Sequence, residues 1–187
     1  RLYGENDLRL EEFELPQLKN GEILIKIADI IGRSEEVKWL EEERELLEKI
    51  INNQMWDEKT AFYYDMRRDG TLTDTKTVGA YWTMMAGLVS DDRAKRFVAH
   101  LDDEKEFKRP FRIPTLSADH PEYQERGDYW RGSVWAPTNY MVLKGLDNYG
   151  KYDLSYEIAC THLDAAVEVF KNTGTLYENY APETTDG

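Results

Sequence analysis

The side chains best suited to bind a ligand lie together in the segment Tyr129-Trp-Arg-Gly-Ser-Val-Trp135 and the residues just after it. Its aromatic rings offer flat apolar surfaces of the kind that pack against the C–H faces of a sugar ring. Arg131 and Asn139 add hydrogen-bonding groups that suit pairs of hydroxyls. Core packing at helical spacing explains Trp135 equally well. The residues predicted to bind a sugar are Tyr129, Trp130, Arg131, Trp135 and Asn139.

A carboxylate that could act on water follows in the segment Leu176-Tyr-Glu-Asn-Tyr-Ala-Pro-Glu-Thr184. Glu178 stands between Tyr177 and Asn179, after Gly174, in a stretch without helical periodicity. An isolated acidic residue in such a stretch is usually a solvated loop residue. These residues alone therefore leave the role of Glu178 open.

The remaining residues that could do chemistry give weaker signals. Asp57 and Glu58 are neighbours in sequence, so their side chains diverge, and Asp57 is better explained as a side-chain cap of the preceding helix end. The three histidines are far apart and lack metal-ligand spacing. They are His100, His120 and His162. We expect neither a metal nor a cofactor.

Composition narrows the class of partner. The chain has 187 residues, a net charge of -13 and 41% hydrophobic residues, which fits one globular domain. Nucleic acids and anionic membranes need a positive surface, so the charge argues against both. No apolar run is long enough to span a bilayer. We expect a neutral ligand and a soluble protein, with the cytoplasm as the favoured compartment.

Helices are predicted to position the candidate site. Apolar residues recur at steps of three and four, and Ser34 is placed as the N-cap of the second helix. The predicted helices cover residues 15–31, 34–53, 78–89, 91–101, 134–149 and 154–170. The first helix carries an apolar stripe of Ile23, Leu24, Ile27, Ile30 and Ile31. The residues predicted to face inward in the second helix are Val37, Leu40, Leu47, Ile50 and Ile51. The apolar residues on one face of the last helix are Leu154, Ile158, Leu163, Val167 and Phe170.

Two long connections separate these helices. Residues 55–65 are dense in aromatics and predict a structured loop or short hairpin. The segment 102–127 contains three prolines and is longer than a loop that merely joins two helices, which indicates a binding or structural function. We expect this second loop to pack beside Tyr129 and Trp130 and to shape the entrance of a pocket. The polar residues expected to bond mainly within that loop are Asp119 and His120.

Three segments, in this order along the chain, resemble the catalytic domain of glycoside hydrolase family 63, whose clan includes trehalases and mannosylglycerate hydrolases. The segments are residues 55–65, 129–146 and 176–184. The resemblance covers nearly the whole chain. It implies an all-α (α/α)6 toroid that hydrolyses an α-glycosidic bond with inversion. Residues 1–187 would be a partial domain, roughly the C-terminal half, because twelve helices need about twice this length.

The resemblance also implies roles for single residues. Glu178 matches the family's general base, and the general acid, an aspartate far upstream in the family, falls outside this chain. The implied substrate is an oligosaccharide or a disaccharide. The residues that match the sugar-pocket motif are Tyr129, Trp130 and Trp135, with Arg131 and Asn139 as neighbours.

Two other interpretations remain open at this point. The chain could be a noncatalytic carbohydrate-binding or scaffold module built of helical hairpins, since it supplies one of the two carboxyls that inversion requires. It could also pair with the remaining half of a catalytic domain or with a second chain, because apolar stripes at a cut edge tend to be covered by association.

Overall fold

The computed structural model describes residues 23–186, which are mainly helical with two short β-ladders. The α-helices are α1 (Ile23–Ile30), α2 (Lys38–Ile50), α3 (Trp82–Met85), α4 (Asp91–Val98), α5 (Ala136–Asn148) and α6 (Tyr152–Thr173). The strands are β1 (Trp56–Asp57), β2 (Phe62–Tyr63), β3 (Val134–Trp135) and β4 (Asn179–Tyr180). Short helical turns cover Ser34–Val37, Ile51–Met55, Val78–Tyr81, Ala99–Asp102 and Tyr129–Arg131. Among the described residues, no helix has both the length and the apolar character needed to cross a membrane.

The first two helices form where apolar periodicity predicts them, but their start signal differs. Residues 15–22 of the first predicted helix lie outside the described residues. The Ser34 hydroxyl donates to the carboxylate of Asp29 at 2.5 Å and caps no helix. A 3-10 turn over Ser34–Val37 therefore precedes α2, and the N-cap prediction for Ser34 is wrong.

The apolar stripe of α1 is largely exposed, whereas the predicted inward face of the second helix is half-buried except at Leu47. Four apolar side chains of α1 and its end are between 48% and 78% exposed, and Ala28 is the buried residue of that helix. In α2, Leu47 is exposed, whereas the other predicted inward residues of the second helix are half-buried. Periodicity identifies a stripe, but only a partner can bury it. The exposed residues of the α1 stripe are Leu24, Ile27, Ile30 and Ile31; the side chain of Ile23 lies outside the description.

The aromatic segment 55–65 is a short hairpin, as predicted. Strand β1 pairs antiparallel with β2, with Trp56 opposite Tyr63. Asp57 accepts a hydrogen bond from the Lys59 N–H at 3.0 Å and one from the Thr60 hydroxyl at 2.8 Å. These bonds hold the pKa of Asp57 below its ordinary value. Asp57 therefore organises the turn of the hairpin instead of capping the preceding helix.

The hairpin contributes to an aromatic core between the helices. Phe62 meets Phe97 of α4 edge to face at 5.1 Å, and Tyr81 stacks on Phe97 at 4.3 Å. The helix predicted over 78–89 is shorter than expected, a 3-10 turn followed by the four residues of α3. Gly145 of α5 lets that helix approach closely, since a Cβ there would lie 3.1 Å from the Cβ of Met84.

Helices α5 and α6 form the predicted C-terminal hairpin, joined at Gly150, which has φ of +65°. The apolar face of the last predicted helix packs inward only in its first half, because Leu163, Val167 and Phe170 are exposed. Both faces of this part of α6 carry apolar residues, so periodicity could not choose between them. The buried residues of α6 are Ser155, Ile158, Ala165 and Val169.

A network of charged side chains ties the loops to this core. Lys76 lies between the carboxylates of Glu106 and Asp119, the latter at 2.6 Å. The second oxygen of Glu106 is 2.5 Å from Nδ1 of His100, whose Nε2 is 3.0 Å from the Thr60 carbonyl. Burial disfavours the charge on Lys76, but the two carboxylates outweigh it and raise the pKa of its ammonium group. The 102–127 loop is thereby fixed to the β1–β2 hairpin.

Candidate functional site

Tyr129, Trp130 and Trp135 form one cluster of rings, called here the aromatic platform. The indoles of Trp130 and Trp135 stack with centroids 5.5 Å apart and planes inclined by 12°. Tyr129 packs edge-on against both, at 5.7 Å from Trp130 and 4.9 Å from Trp135. Trp135 is 8% exposed and Trp130 is 55% exposed. The platform therefore has a buried base, which accounts for the core character of Trp135, and an outer aromatic surface open to a ligand.

A tight turn presents the exposed rings. The 3-10 turn Tyr129–Arg131 begins at Tyr129 with φ of +52° and is followed by Gly132 with φ of +140°. Residues other than glycine rarely adopt the φ of Gly132. A Cβ at Gly132 would also stand 2.8 Å from the carbonyl oxygen of Gln124. Glycine at this position thus permits both the turn and its contact with the 102–127 loop.

Strand pairing brings the candidate base to the platform. Strand β3 runs antiparallel to β4, with Val134 opposite Tyr180 and Trp135 opposite Asn179. Glu178 directly precedes Asn179, so its backbone lies at the end of the ladder, one residue from the position opposite Trp135. Its side chain is exposed, and no ion pair or side-chain hydrogen bond of the described residues engages its carboxylate. Residues distant in sequence, Glu178 and Trp135, are therefore neighbours in the fold.

Burial of its neighbours holds β4 in place. The ring of Tyr180 stacks on Phe111 with centroids 4.7 Å apart. Val134, Ala165 and Val169 complete this small core cluster. The strand that carries Glu178 into position is therefore anchored by apolar contacts with the 102–127 loop and with α6.

Arg131 lies at the rim of the platform with acidic partners. Its guanidinium pairs with Asp128 and lies 3.5 Å from the carboxylate of Glu122. Hydrogen bonding to Asp128 raises the pKa of the guanidinium above its ordinary value. All three side chains are exposed, so the pairing is screened by water and can be exchanged for another partner.

Asn139 lies beneath the platform, in the first turns of α5. Its amide nitrogen donates to the carbonyl of Ile113 at 3.1 Å and to that of Trp135 at 3.2 Å. Its Oδ1 is buried and has no hydrogen-bond partner among the described residues. Asn139 thus links the 102–127 loop to the backbone of the platform.

The 102–127 loop packs against the platform segment, as predicted. The Gln124 N–H donates to the Arg131 carbonyl at 2.8 Å. Asp119 accepts from the Ser117 hydroxyl at 2.7 Å, and Nδ1 of His120 accepts from the Glu122 N–H at 3.1 Å. Asp119 therefore bonds within the loop and to Lys76 outside it. His120 caps the turn through the Glu122 N–H, as expected, and its Nε2 lies 3.4 Å from the Thr75 hydroxyl outside the loop.

A second cluster, which sequence reasoning missed, holds the chain after β4. Arg109 donates two hydrogen bonds to Glu183, at 2.5 Å and 2.8 Å, and the Tyr123 hydroxyl donates to the same carboxylate at 2.6 Å. Burial opposes the charge on Glu183, but these donors outweigh it and lower its pKa. Burial, and then the bond to Glu183, raise the pKa of Tyr123 well above its ordinary range. Because Arg109 and Glu183 are 74 residues apart, no local pattern signals the pair.

A small cavity of about 160 Å³ opens beside β4. It is lined by residues on both sides of Glu178, Tyr177 and Asn179, and by Arg126. Within residues 23–186, no group of three or more His, Cys, Asp or Glu side chains could hold a metal ion. The platform offers aromatic surfaces and an exposed guanidinium, which can hold a sugar ring. The exposed carboxylate of Glu178, at the end of the β3–β4 ladder, can accept a proton from water.

Comparison with known proteins identifies the family. A family model described as the mannosylglycerate hydrolase MGH1-like glycoside hydrolase domain matches residues 13–187. A protein from Schizosaccharomyces pombe named probable mannosyl-oligosaccharide glucosidase is 27% identical over 86% of this chain and 22% of its own length. A protein of uncharacterised function from Borreliella burgdorferi is 30% identical over 97% of this chain and 40% of its own length.

Solved structures share the fold. The crystal structure of the family 63 mannosylglycerate hydrolase from Thermus thermophilus in complex with Tris matches with a TM-score of 0.73 at 24% identity. The match covers 90% of this chain and 39% of that protein. The chain thus spans at most about two fifths of the length of these relatives. With its family model matched over nearly the whole sequence, the chain belongs to the MGH1-like glycoside hydrolase domain family, within glycoside hydrolase family 63.

Proposed function

We propose that this chain carries the general base and the glycone-binding surface of an inverting α-glycosidase. The observation that supports the proposal is the β3–β4 ladder, in which Asn179 pairs with Trp135 of the aromatic platform, so that the backbone of Glu178 follows one residue away. Family membership supports the reaction class, because the named relatives are a glucosidase of mannosyl-oligosaccharides and a mannosylglycerate hydrolase. Residues 1–187 would form roughly the C-terminal half of an (α/α)6 toroid in a longer protein.

Glu178 deprotonates the attacking water in this proposal. An exposed carboxylate without a cationic partner is free to take up a proton. Inversion needs a second carboxyl about 6.5 to 9.5 Å away, which protonates the leaving group while water attacks the opposite face of the sugar. That general acid would come from the part of the protein outside this chain.

The platform holds the glycone. The outer faces of Tyr129 and Trp130 stack against the sugar ring, and Trp135 supports them from below. Arg131 is kept as a neighbour of the sugar, whereas Asn139, which is 2% exposed, is proposed to support the platform from beneath. Arg131 can exchange its exposed carboxylate partners for a sugar hydroxyl, and Asn139 acts through the Trp135 carbonyl that it holds.

The test is turnover by the protein at its full natural length. The assay offers mannosylglycerate, trehalose and a glucosylated mannose oligosaccharide. A Glu178→Gln variant should lower kcat by about 10²- to 10⁴-fold, the range of a general base. The matched control is Glu43→Gln, which removes an exposed carboxylate from α2 and should leave turnover unchanged. Turnover by Glu178→Gln at the rate of the control would eliminate Glu178 as the base.

Product stereochemistry tests the mechanism separately. Proton NMR during the first turnovers should show the β anomer released from an α-linked substrate. Release of the glycone as the α anomer from mannosylglycerate or from the oligosaccharide would indicate retention and would overturn the inverting assignment; trehalose does not serve here, because its leaving group is itself α-glucose. Binding of these sugars without turnover by the full-length protein would favour the noncatalytic carbohydrate-binding alternative.

A further inference from the structure

Thr115, in the 102–127 loop, lies under the platform and touches its backbone at two points. Its hydroxyl donates to the carbonyl of Tyr129 at 3.3 Å and accepts from the N–H of Gly132 at 3.2 Å. These two backbone groups bracket the Tyr129–Arg131 turn. Thr115 is 2% exposed, so it cannot reach a bound ligand.

The backbone of Thr115 reinforces the same contact. Its N–H donates to the carbonyl of Ser133 at 3.1 Å, directly before β3. The Tyr129 carbonyl also receives a long hydrogen bond, 3.5 Å, from the indole N–H of Trp135. One carbonyl therefore links Thr115 of the loop to the buried ring of the platform.

The turn needs such support because its conformation is unfavourable by itself. Tyr129 has φ of +52°, a left-handed region that residues with bulky side chains rarely adopt. Conformations of this kind persist only where the surroundings over-determine them. The loop that supplies the support is itself strained, since Ile113 has φ of +52° and its carbonyl is held by Asn139.

We propose that Thr115 is a positioning residue for the glycone site, whose hydroxyl fixes the turn that stacks Trp130 on Trp135 and sets Tyr129 edge-on against both. The proposal rests on the proposed function in that the site binds a sugar. Its physical core, the control of ring geometry by one buried hydroxyl, does not depend on which sugar binds.

The test compares three variants. Thr115→Val keeps the shape of the side chain and removes the hydroxyl, whereas Thr115→Ser keeps the hydroxyl. The matched control is Thr73→Val, because the Thr73 hydroxyl is buried and has no hydrogen-bond partner among the described residues. Two closely stacked indoles give an exciton couplet in circular dichroism, which reports the Trp130–Trp135 geometry without any ligand.

Thr115→Val should lose most of the couplet and raise KM for the substrate about tenfold, as expected for one or two buried hydrogen bonds lost. Its kcat should stay within about twofold, because the platform binds ground state and transition state alike. Thr115→Ser and Thr73→Val should both match the unmodified protein. A purely structural role would instead lower kcat and the folded fraction while the couplet of the folded molecules stayed intact.

Each failure has its own signature. If Thr115→Val folds and keeps both couplet and KM, the positioning role is refuted. If Thr115→Val does not fold, the serine variant decides, since loss of the couplet in a folded Thr115→Ser would refute control by the hydroxyl. If no variant hydrolyses or binds a sugar but the couplet changes as stated, the proposed function fails and the positioning of the rings stands.

Discussion

Replacing Gly132 by alanine should be one of the most damaging single-atom changes near the platform. The new Cβ would stand 2.8 Å from the Gln124 carbonyl oxygen, which is a backbone atom and cannot swing away. It would also meet the ring of Tyr123 at 3.0 Å. The φ of +140° adds a conformational cost on top of this overlap.

The magnitude follows from these two contributions. A residue forced into a sparsely populated backbone region costs about 1–3 kcal/mol, and displacing packed neighbours costs about 1–3 kcal/mol more. We expect a loss of about 3–4 kcal/mol in the free energy of unfolding. The control is Gly150→Ala, where φ is +65° and a Cβ would meet nothing within 4 Å. It should cost only about 1–2 kcal/mol.

Urea denaturation followed by tryptophan fluorescence measures both losses. The midpoint should fall without a change in slope, which keeps the comparison one of stability alone. Gly132→Ala should also disturb the Trp130–Trp135 stack, whereas Gly150→Ala should not. Equal losses in the two variants would mean that the contact with the Gln124 carbonyl is not restrictive, and the steric argument would be refuted.

Three further predictions follow from the anchoring contacts and the exposed ring. Glu183→Gln should lower the free energy of unfolding by about 1–3 kcal/mol at neutral pH, because Arg109 and Tyr123 lose a buried acceptor. The folded-state pKa of Glu183 is depressed below 4.5, so the stability that its carboxylate contributes is present above pH 4.5 and is lost as the pH falls through the folded-state pKa. When unfolding is measured against pH, the stability of the variant should therefore decline less steeply in acid than that of the unmodified protein. Burial lowers the pKa of His162 from 6.5, so below pH 6.5 the unfolded state takes up the proton more readily than the folded state. The stability of the unmodified protein should therefore fall more steeply below that pH than the stability of His162→Phe, and parallel curves of stability against pH would contradict this. Trp130→Ala should weaken sugar binding at least about tenfold while costing only about 0.5–1.5 kcal/mol of stability from the lost stack, as calorimetric titration and thermal melting would measure; unchanged binding would remove the ring from the glycone site.

Local patterns account for the parts of the fold that sequence could predict. The α5–α6 hairpin and the β1–β2 hairpin follow from periodicity and turn residues that lie within a few positions of each other. The platform was foreseeable because its rings occupy one short segment, residues 129–135. The placement of Glu178 beside Trp135 is consistent with the resemblance, but its role as a base stays a prediction.

Features that depend on distant partners could not be predicted. The apolar residues of α1 and of the second half of α6 form stripes in the sequence, yet which face is buried depends on what packs against it. The Arg109–Glu183 pair and the hydroxyl of Thr115 act across loops, without a periodic signal. The left-handed conformation of Tyr129 is also invisible in sequence, because tyrosine ordinarily avoids it.

The ladder between β3 and β4 has a consequence for how the site is assembled during folding. The chain between the two strands is mainly α5, α6 and their connection, two helices packed against each other. Because α5 and α6 pack against each other, they bring β3 and β4 close together. Closing the ladder therefore costs less entropy than closing a flexible loop of equal length. Inserting residues at the Gly150 turn would lengthen the hairpin at its far end. The spacing of Glu178 and Trp135 should therefore be insulated from changes in that turn, which leaves it free to vary in length while the site stays in register.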